Sequence, residues 1–272
     1  FIIFLIIIFT KKGDVLYIKH LNKREHTAYS CIEYLGLEKV VIPYFRNGDI
    51  LKSMQGMQIT HSDIQFSALY NDCLKHFYKV ESNHFSPGIY SFYGNGDIPK
   101  EGEYYRDYLL HQVQSFVEPA KSQVDTVLDT FEKIFLSGIR KYGDKLNYIH
   151  NFSLLHGDLY SQNILCYGKR YYLIDFEYLR FGPPAIEIAF LVCWDSFCGE
   201  CPIPEQGKFN LELISLRKEG FLSEDEFIII CYIFIPMFAY LAQAACKTGK
   251  FRQPHKILAN LSKLSKIWNI ET

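Results

Sequence analysis

In the stretch HGDLYSQNILCYGKRYYLIDFE, residues 156–177, three side chains carry oxygen donors at intervals that could serve chemistry. Asp158 is followed by Asn163 five residues on, and by Asp175 twelve residues after that. NILCY and YYLID alternate like strands and GKR between them supplies a turn, so the spacing predicts a hairpin that joins Asn163 to Asp175. Residues 156–162 form a loop leading into it, with Asp158 projecting. A carboxylate and an amide carbonyl are hard oxygen donors of the kind that Mg²⁺ takes. A separate Asp can accept the proton of an attacking hydroxyl and align it. These are the parts that phosphoryl transfer needs.

HGDLYSQN resembles the H-x-D-L-x-x-x-N catalytic loop of kinases, and IDFE falls where D-F-G would stand. Gly157 in place of Arg, Glu177 in place of Gly, and the lack of an A-P-E-like segment after Asp175 point away from protein kinases. LLHGDLYSQNIL and YYLIDFEY look like the aminoglycoside phosphotransferase and choline kinase family, small-molecule kinases of protein-kinase-like fold. The likeness is strong over residues 154–190 and rests on lobe order elsewhere. It implies that Asp158 is the catalytic base, that Asn163 and Asp175 hold Mg²⁺, that Glu177 supports a metal or its water, and that His156 braces the loop. ATP and Mg²⁺ are the implied cofactors, and the implied partner is a small molecule bearing a hydroxyl, aminoglycoside-, choline- or sugar-like. Glu187-Ile188-Ala189 departs from the family, which often has Asp at the first of these positions.

The elements needed to position these groups read as an α+β, bilobal chain. A small β-rich N-lobe over residues 1–58 precedes a larger, mostly helical C-lobe over 59–272. FIIFLIIIFT, KKGD and VLYIKH read as a β-hairpin, followed by a helix capped at Asn22 and stopped at Gly36, then by strands in VVIPYF and ILKSMQG. Lys19 ends the second strand, as the phosphate-gripping Lys does in V-A-I-K. Its expected acidic partner is Glu25, on the helix face of Ala28, Tyr29 and Ile32, rather than Glu33; an alternative role for Glu25 is a capping box with Asn22. No Gly-rich phosphate loop is visible before Lys19; its strand is expected to precede Phe1, so that the N-lobe reads as truncated, or else the hairpin that carries it has diverged. That feature favours an alternative reading, a catalytically weak or silent binding or assembly protein like spore-coat-associated relatives; the intact Asp–Asn–Asp set opposes it.

Further along, a helix capped by Ser62 or Asp63 is expected over residues 61–80, and a Gly/Pro-rich loop over 87–102. Helices are expected over 103–118 and 122–142 (the second ended by Gly143), after Pro183–Pro184, over 211–218, from Ser223, and before the C-terminus. FIIICYIFIPMFAYLAQAAC, residues 227–246, is long enough to span a bilayer, but Pro236, Gln243 and a Ser223–Glu226 capping box favour a core helix. The net charge of −1 gives no electrostatic reason to expect nucleic acid, and the scattered cysteines suit a reduced, cytoplasmic protein without a membrane partner. Cys193, Cys198, Cys201 and Cys231 match an iron–sulfur spacing, yet two of them fall in apolar helices, so no cluster is expected. Asp195, Glu200 and Glu205, with Trp194 and Phe197, fall where a substrate pocket would lie, although an ordinary solvated loop is the preferred reading of them.

Overall fold

Short apolar runs broken by polar turns give the N-terminal region its antiparallel strands. A computed structural model describes residues 5–9, 15–54, 57–59, 61–80, 105–121, 129–147, 152–198, 208–251 and 253–267. By internal contact the chain divides into two compact units, Phe1–Tyr90 with Ser153–Phe181, and Ser91–Phe152 with Gly182–Thr272.

In the first unit, β1 (Leu5–Phe9), β2 (Val15–His20), β3 (Tyr44–Asn47) and β4 (Ile50–Met54) form a sheet of order β1-β2-β4-β3. Lys19 pairs with Leu5 on one side and Leu51 on the other, so its backbone is held by two ladders. Helix α1 (Lys23–Tyr34) starts at the Asn22 cap, and Gly36 follows its end at φ +65°, a conformation that favours glycine. Its buried face is Glu25, Ala28, Tyr29 and Ile32. VVIPYF is only partly a strand. Pro43 has no N–H for a ladder, so β3 begins at Tyr44, and Val41 makes a single bridge to Leu173.

The helix expected over 61–80 is also displaced. Ser62 and Asp63 lie in a separate 3₁₀ turn, His61–Asp63, and neither is the cap. The Tyr171 hydroxyl donates to the Asp63 carbonyl (3.0 Å) and accepts the Gln65 N–H (3.1 Å), which sets the start at Gln65. From there α2 (Phe66–Leu69), a π-turn (Tyr70–Leu74) and α3 (Lys75–Tyr78) run continuously. A second sheet contains β5 (Met57–Gln58), β7 (Ile164–Tyr167) and β8 (Arg170–Leu173), and a third pairs β6 (Ser153–Leu155) with β9 (Arg180–Gly182).

The second unit is helical: α4 (Tyr105–Lys121), α5 (Asp129–Leu146), α6 (Pro184–Cys198), α7 (Lys208–Lys218), α8 (Glu224–Ile229), α9 (Ile235–Lys247) and α10 (Pro254–Ile267). The loop expected over 87–102 lies outside the described residues. Gly143 does not stop α5. A Cβ there would come within 2.8 Å of the Arg106 side chain, so this glycine serves close packing rather than termination. The run Glu224–Lys247 has the length and apolarity of a membrane span, with mean hydropathy 2.0, but 83% of that window is buried within the protein. The Ser223–Glu226 capping box opens it, and a π-turn at Ile230–Phe234 precedes Pro236. Pro236 has no N–H to give the carbonyl four residues back, which is that of Tyr232. Gly138 on α5 accommodates that carbonyl: a Cβ at Gly138 would sit 1.8 Å from it.

Candidate active site

The hairpin that carries the site is set by its turn. Gly168 and Lys169 both have positive φ, +58° and +68°, the signature of a two-residue type I′ connection. Register is then fixed as Tyr167↔Arg170 through Ile164↔Leu173, and the ladder extends one step further, with Ile174 N–H donating to the Asn163 carbonyl at 3.1 Å. Asp175 therefore emerges beside Asn163. Its own backbone is left-handed, φ +65°, a conformation that Asp tolerates better than most residues and that recurs at functional sites.

Asn163 is buried and ties the two halves of the loop together. Its Nδ2 donates to the Asp158 backbone carbonyl at 2.8 Å and to Asp158 Oδ2 at 3.2 Å. With the amide nitrogen so engaged, Oδ1 is the face left for a cation. Gly157 turns the chain at φ +86°, where a Cβ would stand 1.8 Å from the Tyr178 carbonyl. An Arg at that position, as in protein kinases, could not fit this backbone.

His156 is fully buried, 4.7 Å from the Phe176 ring, which also stacks on Phe77 and meets Tyr29 of α1 edge-on. Two contacts fix its proton. Nε2 lies 2.7 Å from the Ile174 carbonyl, which can only accept, so Nε2 carries the hydrogen; Nδ1 accepts the Asp158 N–H at 3.3 Å and must be bare. A protonated ring would set two donors against each other. Burial reinforces this and holds the imidazole down to about 4. The unfolded ring takes up a proton near pH 6.5 and the folded one only near 4, so stability is full above that window and is lost as pH falls through it, by up to about 3 kcal/mol. Chemical denaturation between pH 7.5 and 4.5 checks this: the parent is expected to lose that stability relative to His156→Gln, and parallel curves would contradict it.

On the other side, Lys19 ion-pairs with Glu25 Oε1 and lies 3.3 Å from Asp175 Oδ1. Glu25 fills both roles considered for it. Its Oε2 accepts the Asn22 N–H at 3.1 Å and its own N–H is capped by Asn22 Oδ1 at 2.9 Å, while Oε1 serves Lys19. Glu33 instead meets Arg46 and Tyr44. Lys19, Glu25, His156, Asp158, Asn163, Asp175 and Glu177 all belong to the first unit.

The carboxylates shape one another. Burial, then the Asp175 charge, pushes the Asp158 carboxyl up to about 6, against the opposing pull of Arg180 and of the Asn163 hydrogen bond. Burial, then Glu25 and Asp175, raises Glu177. For Lys19, burial works toward the neutral amine, but Asp175 and Glu25 outweigh it and the ammonium is held more firmly than usual. Two residues that sequence reasoning passed over sit here: Phe176, which packs between His156 and Tyr29, and the buried Arg180. A basic residue in an apolar strand, LRFG, was the signal for the second.

Asp195 and Phe197, offered as pocket residues, are 0% and 2% exposed on α6 and are core groups of the second unit. Cys193 is buried on the same helix and Cys231 in the π-turn, and no group of three or more His, Cys, Asp or Glu side chains is arranged as a metal cage among the described residues. Glu200, Glu205 and Cys201 lie outside them.

The sequence profile of the phosphotransferase enzyme family matches residues 138–210. Solved structures of similar fold include a thermostable mutant of an aminoglycoside phosphotransferase in ternary complex with ADP and hygromycin B, at TM-score 0.61 and 12% identity, covering 98% of this chain and 95% of that one. The resemblance is to that phosphotransferase family, and the fold is protein-kinase-like. A choline/ethanolamine kinase family protein from Mesorhizobium loti matches at TM-score 0.60 and 11% identity, over 98% of this chain and 88% of that one. Amicoumacin kinase in complex with AMP-PNP, Ca²⁺ and its ligand matches at 0.57 and 13%, over 97% and 85%. No curated protein matches significantly. The segment matched by the phosphotransferase profile contains Asp158, Asn163 and Asp175.

Proposed function

We propose that this chain is an ATP- and Mg²⁺-dependent phosphotransferase that acts on a hydroxyl of a small molecule, aminoglycoside-, choline- or sugar-like, in the cytoplasm. One observation carries the reading: Asn163 joins the backbone and carboxylate of Asp158, while Lys19 bridges Glu25 and Asp175 in the same unit. The donor set suits Mg²⁺, since Asp175 offers a carboxylate and Asn163 a carbonyl oxygen, both hard, and too few to hold the cation without phosphate and water. Bound there, the cation would neutralise charge on the phosphates.

The protein's own groups do the rest. Lys19 grips phosphate, held by Glu25. Asp158 accepts the hydroxyl proton; a carboxyl raised toward 6 is a stronger base than an ordinary Asp yet stays ionised at neutral pH. Its Oδ2 is steered by Asn163. Glu177 adds negative charge beside Asp175 that suits a metal or its water. Six described cysteines are free thiols, in keeping with a reducing compartment.

The test is ADP release from MgATP across hydroxyl-bearing metabolites and aminoglycosides. Acceptor-dependent release, abolished by chelation of Mg²⁺, is expected. If no acceptor elicits release, and MgATP does not raise the melting temperature, the reading fails.

A further inference from the structure

We propose that Lys19 is a resident counter-ion at Asp175, one that a divalent cation must displace, so that metal seats tightly only after a nucleotide has drawn the ammonium away. This deepens the reading above and rests on it. Lys19 Nζ stands 3.3 Å from Asp175 Oδ1 while pairing with Glu25 Oε1, so one ammonium serves two carboxylates. The Lys19 backbone is fixed in β2, between β1 and β4, and only the flexible stem can move.

Asp175 and Glu177 act electrostatically on Asp158, and Glu25 and Asp175 on Glu177, with Arg180 and Arg24 opposing them from nearby, while Lys19 makes direct contact with Asp175. A Mg²⁺ ligated by Asp175 would lie about 2 Å from the carboxylate oxygen. It would then sit within a few ångströms of an ammonium that holds the same group. Three positive charges crowded on one carboxylate repel strongly, because the interaction grows as separation shrinks. Nucleotide phosphates resolve the conflict by offering Lys19 another anion. By linkage, nucleotide then raises metal affinity, and metal raises nucleotide affinity by the same factor.

Loss of Lys19 should therefore weaken nucleotide binding and strengthen metal binding, opposite signs that a merely structural role would not produce. The probe is Mn²⁺ alone, titrated into the full chain without nucleotide and followed by the EPR signal of the free ion. Lys19→Met is expected to bind Mn²⁺ about tenfold or more tightly than the parent, within the usual range of coupling between sites. Lys19→Arg, which keeps the charge, should stay near the parent. Glu25→Gln keeps an N3 residue able to cap α1 but leaves Lys19 to Asp175 alone, and should bind Mn²⁺ more weakly; it decides the matter if the Met variant does not fold. Unchanged or weaker binding in Lys19→Met, or unchanged or tighter binding in Glu25→Gln, overturns the proposal. If MgATP still stabilises the parent, that failure leaves the phosphotransferase reading standing. Absence of both Mn²⁺ and MgATP binding from every variant overturns both.

Discussion

Asp158→Asn is expected to lower acceptor phosphorylation by roughly 10²–10⁴-fold, the usual worth of a positioned general base. The folded chain should lose nothing. Asp158 is partly desolvated and lies in the field of Asp175 and Glu177, which is why its carboxyl is pushed up to about 6. A neutral isostere relieves that repulsion and retains an oxygen to accept the Asn163 amide, which now bonds Oδ2 at 3.2 Å. The melting temperature should thus hold or rise as turnover falls, the usual trade where a site is built from mutually unfavourable charges. Steady-state ADP release and a melting curve on the same preparation check both halves. Turnover within about threefold of the parent would remove Asp158 as the base, since even the low end of the expected range is a hundredfold. A concurrent fall in melting temperature would mean that the carboxylate is structural.

Much of this site could be read along the chain because its parts are close in sequence. Asn163 and Asp175 are joined by one hairpin, and a Gly-Lys turn with both residues at positive φ fixes their register without outside help. The α1 cap, its stop at Gly36 and its buried face are local in the same sense. What resisted reading depends on partners distant in sequence. Gly143 looks like a helix stop until Arg106 is found where its Cβ would be. Ser62 and Asp63 look like caps until Tyr171, more than a hundred residues away, is seen to anchor Gln65 instead. Glu25 posed a choice between two roles only because periodicity treats a carboxylate as one point; its two oxygens meet Asn22 and Lys19 at once. Asp195 looks like a pocket acid in sequence, and only the packing of α6 reveals that it is wholly buried.

Asp175→Asn should be the more telling substitution, because it separates metal handling from proton transfer. Asn is the right replacement: at φ +65° an Ala would add backbone strain, whereas Asn, like Asp, tolerates the left-handed region. The change removes the only charge among the two groups assigned to Mg²⁺ and leaves Asn163 with a neutral partner. Charge stabilisation worth several kcal/mol is at stake, so turnover should fall on the order of 10³-fold. Unlike Asp158→Asn, this variant should also lose the Mg²⁺ dependence of nucleotide binding. ATP alone and MgATP should stabilise it equally, while the parent and Asp158→Asn respond more to MgATP. Titration calorimetry with and without Mg²⁺ reads this directly, and an undiminished Mg²⁺ effect would take Asp175 out of the cation site. Lys19 supplies an internal control, since it loses the carboxylate charge at position 175 yet keeps its ion pair with Glu25. Residual binding of metal-free ATP should survive in Asp175→Asn and disappear when Lys19 is also replaced, which assigns phosphate grip and metal to different side chains.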